Sequence, residues 1–363
     1  MKSNTFQPVS ALHPTLKPDR LAAQAAEAVR ELLAEAAAAN TTRSYASALR
    51  YWAAWFQGRF GVAISLPVPE TAVVQFVVDH LPRRNKAGVM AWELPETLDA
   101  QLVDAGLKKK PGAFKLNTVV HRVAVLSAAH QAHKAANPCE QPAVRHLLAR
   151  GRRAAVKRGD RPHKKTAITK PELEALLATC DDSLEGVRDR AILYFGFASG
   201  GRRRSEIAAA DWMDLRRINA TDFIYRLEHS KTRQTGASAA VDDTPDKPVL
   251  GRAGAALDAW LRAANITTGP LFRRLWGDRV GPALSAKAVA AIVQRRAAQA
   301  GLAGDFGGHS LRSGFITEGG RQGIALPALM ALTDHRSVKQ AMDYFQSGSA
   351  TTNPAARMLE AES

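Results

Sequence analysis

The stretch Leu332-Thr-Asp-His-Arg-Ser-Val-Lys-Gln-Ala-Met-Asp-Tyr-Phe345 decides how the chain is read. Ser337 has a hydroxyl able to cap a helix, so a short helix is expected over Val338–Tyr344, with Tyr344 at its far end and His335 just outside its beginning. Taken alone, a tyrosine beside Met342 and Phe345 is an ordinary half-buried core residue. Working outward, Gly307-Gly-His-Ser-Leu-Arg-Ser-Gly-Phe315 starts a helix that sets His309 and Arg312 one turn apart on the same face. Further back, Ser199-Gly-Gly-Arg-Arg-Arg-Ser-Glu-Ile207 puts a glycine turn before three arginines and a helix beginning near Ser205. Between them, Glu228-His-Ser-Lys-Thr-Arg-Gln-Thr-Gly236 carries Lys231 at the end of a strand or in a tight turn. Each feature separately has a bland reading as a capping pair, a surface lysine or a loop.

Read jointly, these residues resemble the tyrosine recombinase family, the phage integrase, Xer and Cre group of DNA strand-exchange enzymes. The family pattern is an Arg-x-Ser-Glu box after a turn, a β-hairpin lysine, His-x-x-Arg, a His or Trp following Leu-Gly, and a Tyr nine positions later. Arg203 matches the first arginine, with Ser205 and Glu206 after it, and Lys231 matches the hairpin lysine. His309 and Arg312 match His-x-x-Arg, while His335 and Tyr344 keep the gap of nine. Three features depart from the pattern. Arg202 occupies a normally apolar position, Asp334 stands where Gly is usual, and Lys247 is an alternative to Lys231 as the hairpin lysine. Register with Ser205 and Glu206 selects Arg203 from the run 202–204.

The chemistry implied by the resemblance needs those residue types. Cutting a phosphodiester without a metal requires a nucleophile, a proton donor for the leaving 5′ oxygen, and positive charge around the non-bridging oxygens. A phenol titrating near 10 is a poor nucleophile at neutral pH, so Tyr344 must lose its proton as it attacks. Guanidinium forks stay charged and bond phosphate oxygens in pairs, the role implied for Arg203 and Arg312. The resemblance makes Lys231 the general acid, has His309 assist proton movement at the tyrosine, and gives His335 a hydrogen bond to the scissile phosphate. Glu206 is read as a supporting brace. The product is a 3′-phosphotyrosine that conserves the bond energy, so no cofactor and no metal are expected. The chain has no Walker loop and no carboxylate cluster of metal-binding spacing.

Composition points the same way. The chain has 363 residues, 46% of them hydrophobic and 23% charged, enough for two cored domains. Fifty Lys and Arg against 34 Asp and Glu give a formal charge of +16, which favours a polyanionic partner, nucleic acid first. Cys139 and Cys180 lie far apart without companions, so neither a disulfide framework nor a cysteine zinc site is expected. No apolar run is long enough to span a bilayer, and Met1–Asp19 lacks the pattern of a signal peptide. The expectation is a cytoplasmic protein of bacterial or phage type, associated with the nucleoid.

The expected fold is mainly α with a small antiparallel β-sheet: a helical, SAM-like core-binding domain followed by a recombinase catalytic domain. The expected organisation is a flexible tail over 1–16, the core-binding domain over 17–149, a basic linker over 150–166, the catalytic domain over 167–350 and a tail over 351–363. The resemblance implies that this last tail docks on a neighbouring protomer. In the first domain, helices are expected from Pro18, from Thr41 or Thr42 with Tyr45, Leu49, Trp52, Trp55 and Phe56 inward, from Glu70, and over Leu116–Ala136. The intervening stretch Arg83–Lys115 reads as a loop. In the second, Thr169 and Glu172 have capping-box spacing, and strands are expected in DLRRIN, in TDFIYRLEHSK and around Ala239–Val241.

Double-stranded DNA is the expected partner. Phosphate contacts are assigned to Arg43, Lys108, Lys109, Lys110 and Lys115, and to the strap Arg150, Arg152, Arg153, Lys157, Arg158, Arg161, Lys164 and Lys165. Between 150 and 165 eight basic residues face one acidic residue. The resemblance implies a homotetramer on two DNA sites and a monomer or dimer off DNA, with the chain as the recombinase of a mobile element. Two alternatives stand beside it: a catalytically inactive DNA-binding regulator of the same fold, and a type IB topoisomerase-like enzyme that only relaxes DNA.

Overall fold

The computed structural model describes residues 39–160, 165–227, 246–335 and 337–349, with side chains from residue 41 to 348. The expected tails, the helix from Pro18, the strand near Ala239–Val241, and Lys231, Arg161 and Lys164 lie outside the described residues. The chain divides into two compact units, residues 1–162 and 163–363.

The first unit is built from α1 (Ala39–Phe60), α2 (Glu70–His80), α3 (Glu96–Asp104), α4 (Leu116–Ala132) and α5 (Pro142–Lys157), with a two-stranded antiparallel hairpin, β1 (Arg83–Arg84) and β2 (Met90–Ala91). Its core gathers Tyr51, Trp52, Trp55 and Phe56 of α1 around Val73, Phe76 and Val77 of α2 and Val119, Val123 and Leu126 of α4. Trp52 and Phe76 stack with centroids 3.7 Å apart. Burying each such side chain contributes about 1.5–3 kcal/mol, so this aromatic cluster dominates the unit. The buried stripe of α1 runs through Ala48, Tyr51, Trp52, Trp55 and Phe56, whereas Tyr45 and Leu49 are exposed, a rotation of the expected face by one position near the amino end.

Two further expectations change here. Arg83–Lys115 is not one loop: it holds the hairpin and α3, whose Leu98 and Leu102 lie one turn apart and are buried. Short length hides such a helix, because two apolar residues barely define a period. Nor is Arg150–Lys157 a linker, since these residues form the last two turns of α5. Ala155 is buried there, and Gly151 sits against the Leu81 side chain, so one face of the basic run packs while its arginines stay in solvent.

The second unit comprises α6 (Lys170–Ala178), α7 (Leu184–Ala198), α8 (Arg204–Ala208), α9 (Arg252–Ala263), α10 (Ala286–Gln299), α11 (Gly308–Arg321), α12 (Leu326–Thr333) and α13 (Val338–Ser349). A three-stranded antiparallel sheet runs in the order β3 (Leu215–Arg217), β4 (Phe223–Arg226), β5 (Asp246–Val249), and a separate hairpin pairs β6 (Arg273–Trp276) with β7 (Arg279–Ala283). The unit is mainly helical with small antiparallel sheets. The capping box of α6 forms as expected, Glu172 accepting from the Thr169 backbone N–H at 2.9 Å. Strand β5 went unforeseen because Asp-Lys-Pro-Val has weak strand propensity and is held by pairing with β4. Helices α7 and α11 and strands β4 and β5 supply Phe195, Leu311, Phe223, Tyr225 and Val249 to one continuous core, and that core is the platform for the site.

Candidate active site

Four short segments bring the site together. Arg203 is the N-cap residue of α8, where the Glu206 carboxylate accepts from its backbone N–H at 3.0 Å and also pairs with its guanidinium. Two glycines before it explain how the turn fits. At Gly200 (φ +99°) a Cβ would lie 2.3 Å from the Leu332 carbonyl oxygen, and at Gly201 (φ +67°) it would lie 2.7 Å from the Arg312 Cα. Only a residue without a side chain can turn there and press against both α11 and the end of α12.

His309 and Arg312 occupy the first two turns of α11. The Ser310 hydroxyl accepts from the Gly307 backbone N–H at 3.0 Å, closing the start of that helix and fixing the ring of residues around it. Arg312 is 2% exposed, and its guanidinium donates to the Gly201 carbonyl oxygen at 3.3 Å and to His335 Nδ1 at 3.2 Å. His335 Nδ1 also lies 2.8 Å from the Thr333 hydroxyl. Because arginine can only donate, Nδ1 of His335 is an acceptor, and the neutral ring carries its proton on Nε2. Tyr344 comes in on α13, which Thr317 of α11 anchors by donating to the Tyr344 carbonyl oxygen at 3.3 Å. The Tyr344 hydroxyl and His309 Nε2 are 3.1 Å apart.

The electrostatics follow from burial and from two arginines. Desolvation, then Arg312 and Arg203, pushes His309 below its ordinary value. The same causes push His335 down to about 3. Both rings are therefore neutral at pH 7. Desolvation and then Arg203 lower Arg312 as well, yet a guanidinium keeps its proton at neutral pH. Burial and Asp343 raise the Tyr344 phenol, opposed by Arg312. The phenol is therefore protonated at neutral pH and needs an acceptor for its proton as it attacks.

The structure thus brings His309, Arg312, His335 and Tyr344 into one connected cluster, with Arg203 close enough to depress both imidazoles. Of the neighbouring arginines, Arg202 is fully buried, while the Arg203 side chain is 23% exposed. Lys247, the alternative hairpin lysine, is also fully buried, its ammonium donating to Asp334 at 2.8 Å and to the Ala331 carbonyl oxygen at 3.0 Å. Sequence reasoning missed Thr317 and Thr333, whose roles depend on which backbone or ring atom lies opposite and leave no spacing signal. Among the described residues no three His, Cys, Asp or Glu side chains are grouped so as to hold a metal ion, and no helix is long and apolar enough to cross a membrane.

The assigned DNA-contact residues divide. Arg43, Lys109, Lys110, Lys115, Arg150, Arg152, Arg153 and Lys157 are exposed. Arg43 lines a groove of about 360 Å³ with Ser44, Ser47, Thr118, His121 and Arg122. Arg158 pairs with Asp160 at 3.0 Å, and Lys165 pairs with Asp305. Lys108 must be withdrawn from the set: it is buried, its ammonium bonded to Asp99 and the Gly112 carbonyl and lying 5.0 Å from the centre of the Phe114 ring. A lysine buried in an ion pair with a carboxylate is not available to a phosphate.

Comparison with known proteins identifies the family. The phage integrase family profile matches residues 166–350, the span that contains every member of the cluster. An integrase/recombinase xerD homolog of Selenomonas ruminantium is 35% identical over 245 residues, covering 64% of this chain and 69% of the relative. Among solved structures, a lambda integrase (75–356) dimer bound to a COC′ core site shares the fold, with a TM-score of 0.50 at 17% identity over 89% of this chain and 94% of that one. XerA recombinase aligns over 92% of this chain and 97% of its own, at 13% identity and a TM-score of 0.42. The chain belongs to the phage integrase family, the tyrosine site-specific recombinases, enzymes that break and rejoin DNA.

Proposed function

We propose that this chain is the recombinase of a mobile genetic element, and that it cuts and reseals DNA through a 3′-phosphotyrosine on Tyr344. The observation that carries the reading is the 3.1 Å approach of the Tyr344 hydroxyl to a neutral His309, beside buried Arg312 and half-buried His335. In this mechanism a scissile phosphate enters among the cations, and its non-bridging oxygens take hydrogen bonds from Arg203 and Arg312. His335, with Nδ1 occupied, offers its Nε2–H to the same phosphate. As the Tyr344 oxygen attacks phosphorus, its proton passes to His309. The bond to the 5′ oxygen then breaks and that oxygen takes a proton from Lys231. Attack by a different 5′ hydroxyl reverses every step, restoring the phosphodiester and the free phenol, so neither ATP nor a metal is called for.

The exposed cations Arg43, Lys109, Lys110, Lys115, Arg150, Arg152, Arg153 and Lys157 support sequence-independent affinity for the duplex. A tetramer on two DNA sites is the working assembly. The test is covalent capture: nicked duplex fragments from a random library are incubated with the protein, and protein-linked strands are recovered and sequenced. The expected result is a 3′ linkage to Tyr344 flanked by inverted repeats, and none with Tyr344→Phe. No covalent recovery from wild type on DNA that it binds would make the chain a regulator, and equal recovery from Tyr344→Phe would place the nucleophile elsewhere. Relaxation without paired-site synapsis would make it a topoisomerase.

A further inference from the structure

Two of the positions at which this sequence departs from the family pattern, Arg202 and Asp334, are bonded to each other. Arg202 donates to one Asp334 carboxylate oxygen at 3.2 Å, and Lys247 donates to the other at 2.8 Å. Both cations are fully buried. Each also reaches the carboxyl end of α12, Arg202 donating to the Leu332 carbonyl and Lys247 to the Ala331 carbonyl at 3.0 Å. Those carbonyls have no partner within their own helix, and the helix dipole makes that end negative, so two cations satisfy it in bonding and in charge. Asp334 itself adopts the left-handed conformation, φ 54° and ψ 41°, with its N–H returning to the Met330 carbonyl at 3.0 Å. A glycine enters that conformation freely, while an aspartate tolerates it when its side chain finds local partners.

This assembly touches the site at both ends. His335 is the next residue after Asp334, and it receives the Arg312 hydrogen bond. On the other side Arg202 lies 3.7 Å from Glu206, the carboxylate that holds Arg203 by backbone and guanidinium together. Four charges, two of each sign, with Arg202, Lys247 and Glu206 buried and Asp334 half-buried, therefore link the residue before His335 to the residue that holds Arg203.

We propose that Arg202, Asp334 and Lys247 form a positioning unit that sets His335 and Arg203 for catalysis, replacing the glycine and apolar residue of the family pattern by a buried ionic clamp. None of the three touches the phosphate. Losing the Asp334 charge removes the carboxylate that two buried cations share, and the weaker balance between them moves the end of α12 and the residues attached to it. Removing all three charges at once returns the neutral arrangement, because a buried ion cluster is commonly replaceable by apolar residues of similar volume. The two departures are thus one device and tolerate change only as a set.

The inference rests on the recombinase reading, and one experiment separates their failures. Single-turnover formation of the covalent adduct is measured on a captured, nicked site at saturating DNA, with duplex affinity measured in parallel. Asp334→Asn keeps a residue suited to the left-handed conformation and removes only the charge. It is expected to slow adduct formation about 10- to 100-fold, the loss of well-aligned phosphate donors, with affinity within about twofold of wild type. Arg202→Met/Lys247→Met/Asp334→Gly is expected to recover to within about fivefold of wild type under the same logic of neutral replacement. Should Asp334→Asn melt below the assay temperature, Arg202→Lys takes its place, keeping the charge but not the fork that spans Asp334 and Leu332. Wild-type rates in these single variants, or a triple variant no faster than Asp334→Gly, overturn the positioning unit alone. A wild-type protein that forms no Tyr344 adduct overturns both readings.

Discussion

Each unit of the chain holds a tyrosine hydrogen-bonded to a histidine, and the two pairs have opposite fates. In the first unit the Tyr51 hydroxyl donates to His80 Nε2 at 2.7 Å, while His80 Nδ1 donates to the Phe76 carbonyl at 2.7 Å. Both residues are completely buried, with the His80 ring stacked on Phe114 at 5.0 Å. Burial raises the Tyr51 phenol and drives His80 down to about 3, so neither changes charge near neutrality. In the second unit the Tyr344–His309 pair is longer, opens to solvent at His309, and faces buried Arg312. A phenol on an imidazole is therefore no reactive pair in itself. Exposure at His309 and the buried Arg312 beside it are what distinguish the second pair.

The comparison breaks first at the two phenols. Tyr344→Phe is expected to abolish adduct formation on a nicked substrate, whereas Tyr51→Phe should cleave normally and lose about 1–3 kcal/mol of stability in denaturant melts, because His80 Nε2 is left without its donor. Cleavage lost equally in both variants would mean that the first pair serves the chemistry too. Next comes the cation: Arg312→Gln should lower the single-turnover rate about 10²- to 10³-fold, the effect of removing one preorganised donor.

His309→Gln follows, with a loss of about 10²-fold, the lower range for a positioned proton acceptor. Because the His309 value lies below 6.5, the wild-type rate should hold level down to that pH and fall in more acid solution as the ring takes up its own proton. A rate falling already between pH 8 and 7 would contradict the neutral ring. The smallest effect concerns His80. Between pH 6.5 and its folded-state value of about 3, the unfolded chain binds a proton that the folded chain refuses, so acid favours unfolding. One such group costs about 1.4 kcal/mol per pH unit in that window, or about 2 kcal/mol at pH 5. His80→Asn, which offers a donor and an acceptor but no titrating ring, should flatten the pH dependence of the melting temperature.

What the sequence disclosed differs between these pairs for a physical reason. His309, Arg312, His335 and Tyr344 were legible because each is a chemically marked residue at a fixed interval from the next. Tyr51 and His80 carry no such interval and emerge only when α1 and α2 pack. The major helices were legible from apolar periodicity and caps, as with Thr169 and Glu172. Helix α3 and strand β5 were not, being too short or too polar to carry a period. Charge misled most. Lys108 looked solvated on composition and is sealed against Asp99, while the run Arg150–Lys157, read as a linker, is wound into a helix whose cations are exposed. A count of basic residues cannot tell a paired lysine from a free one.

The anchoring of α13 on α11, with Thr317 holding the Tyr344 backbone and His309 meeting its hydroxyl, has a consequence for mixed assemblies. In the proposed mechanism Tyr344, His309 and Arg312 act within one polypeptide, so each subunit is expected to be active or inactive as a whole. Blending a Tyr344→Phe protein with an Arg312→Gln protein is then expected to restore no adduct formation, and recovered activity in the mixture would show that the groups act between subunits.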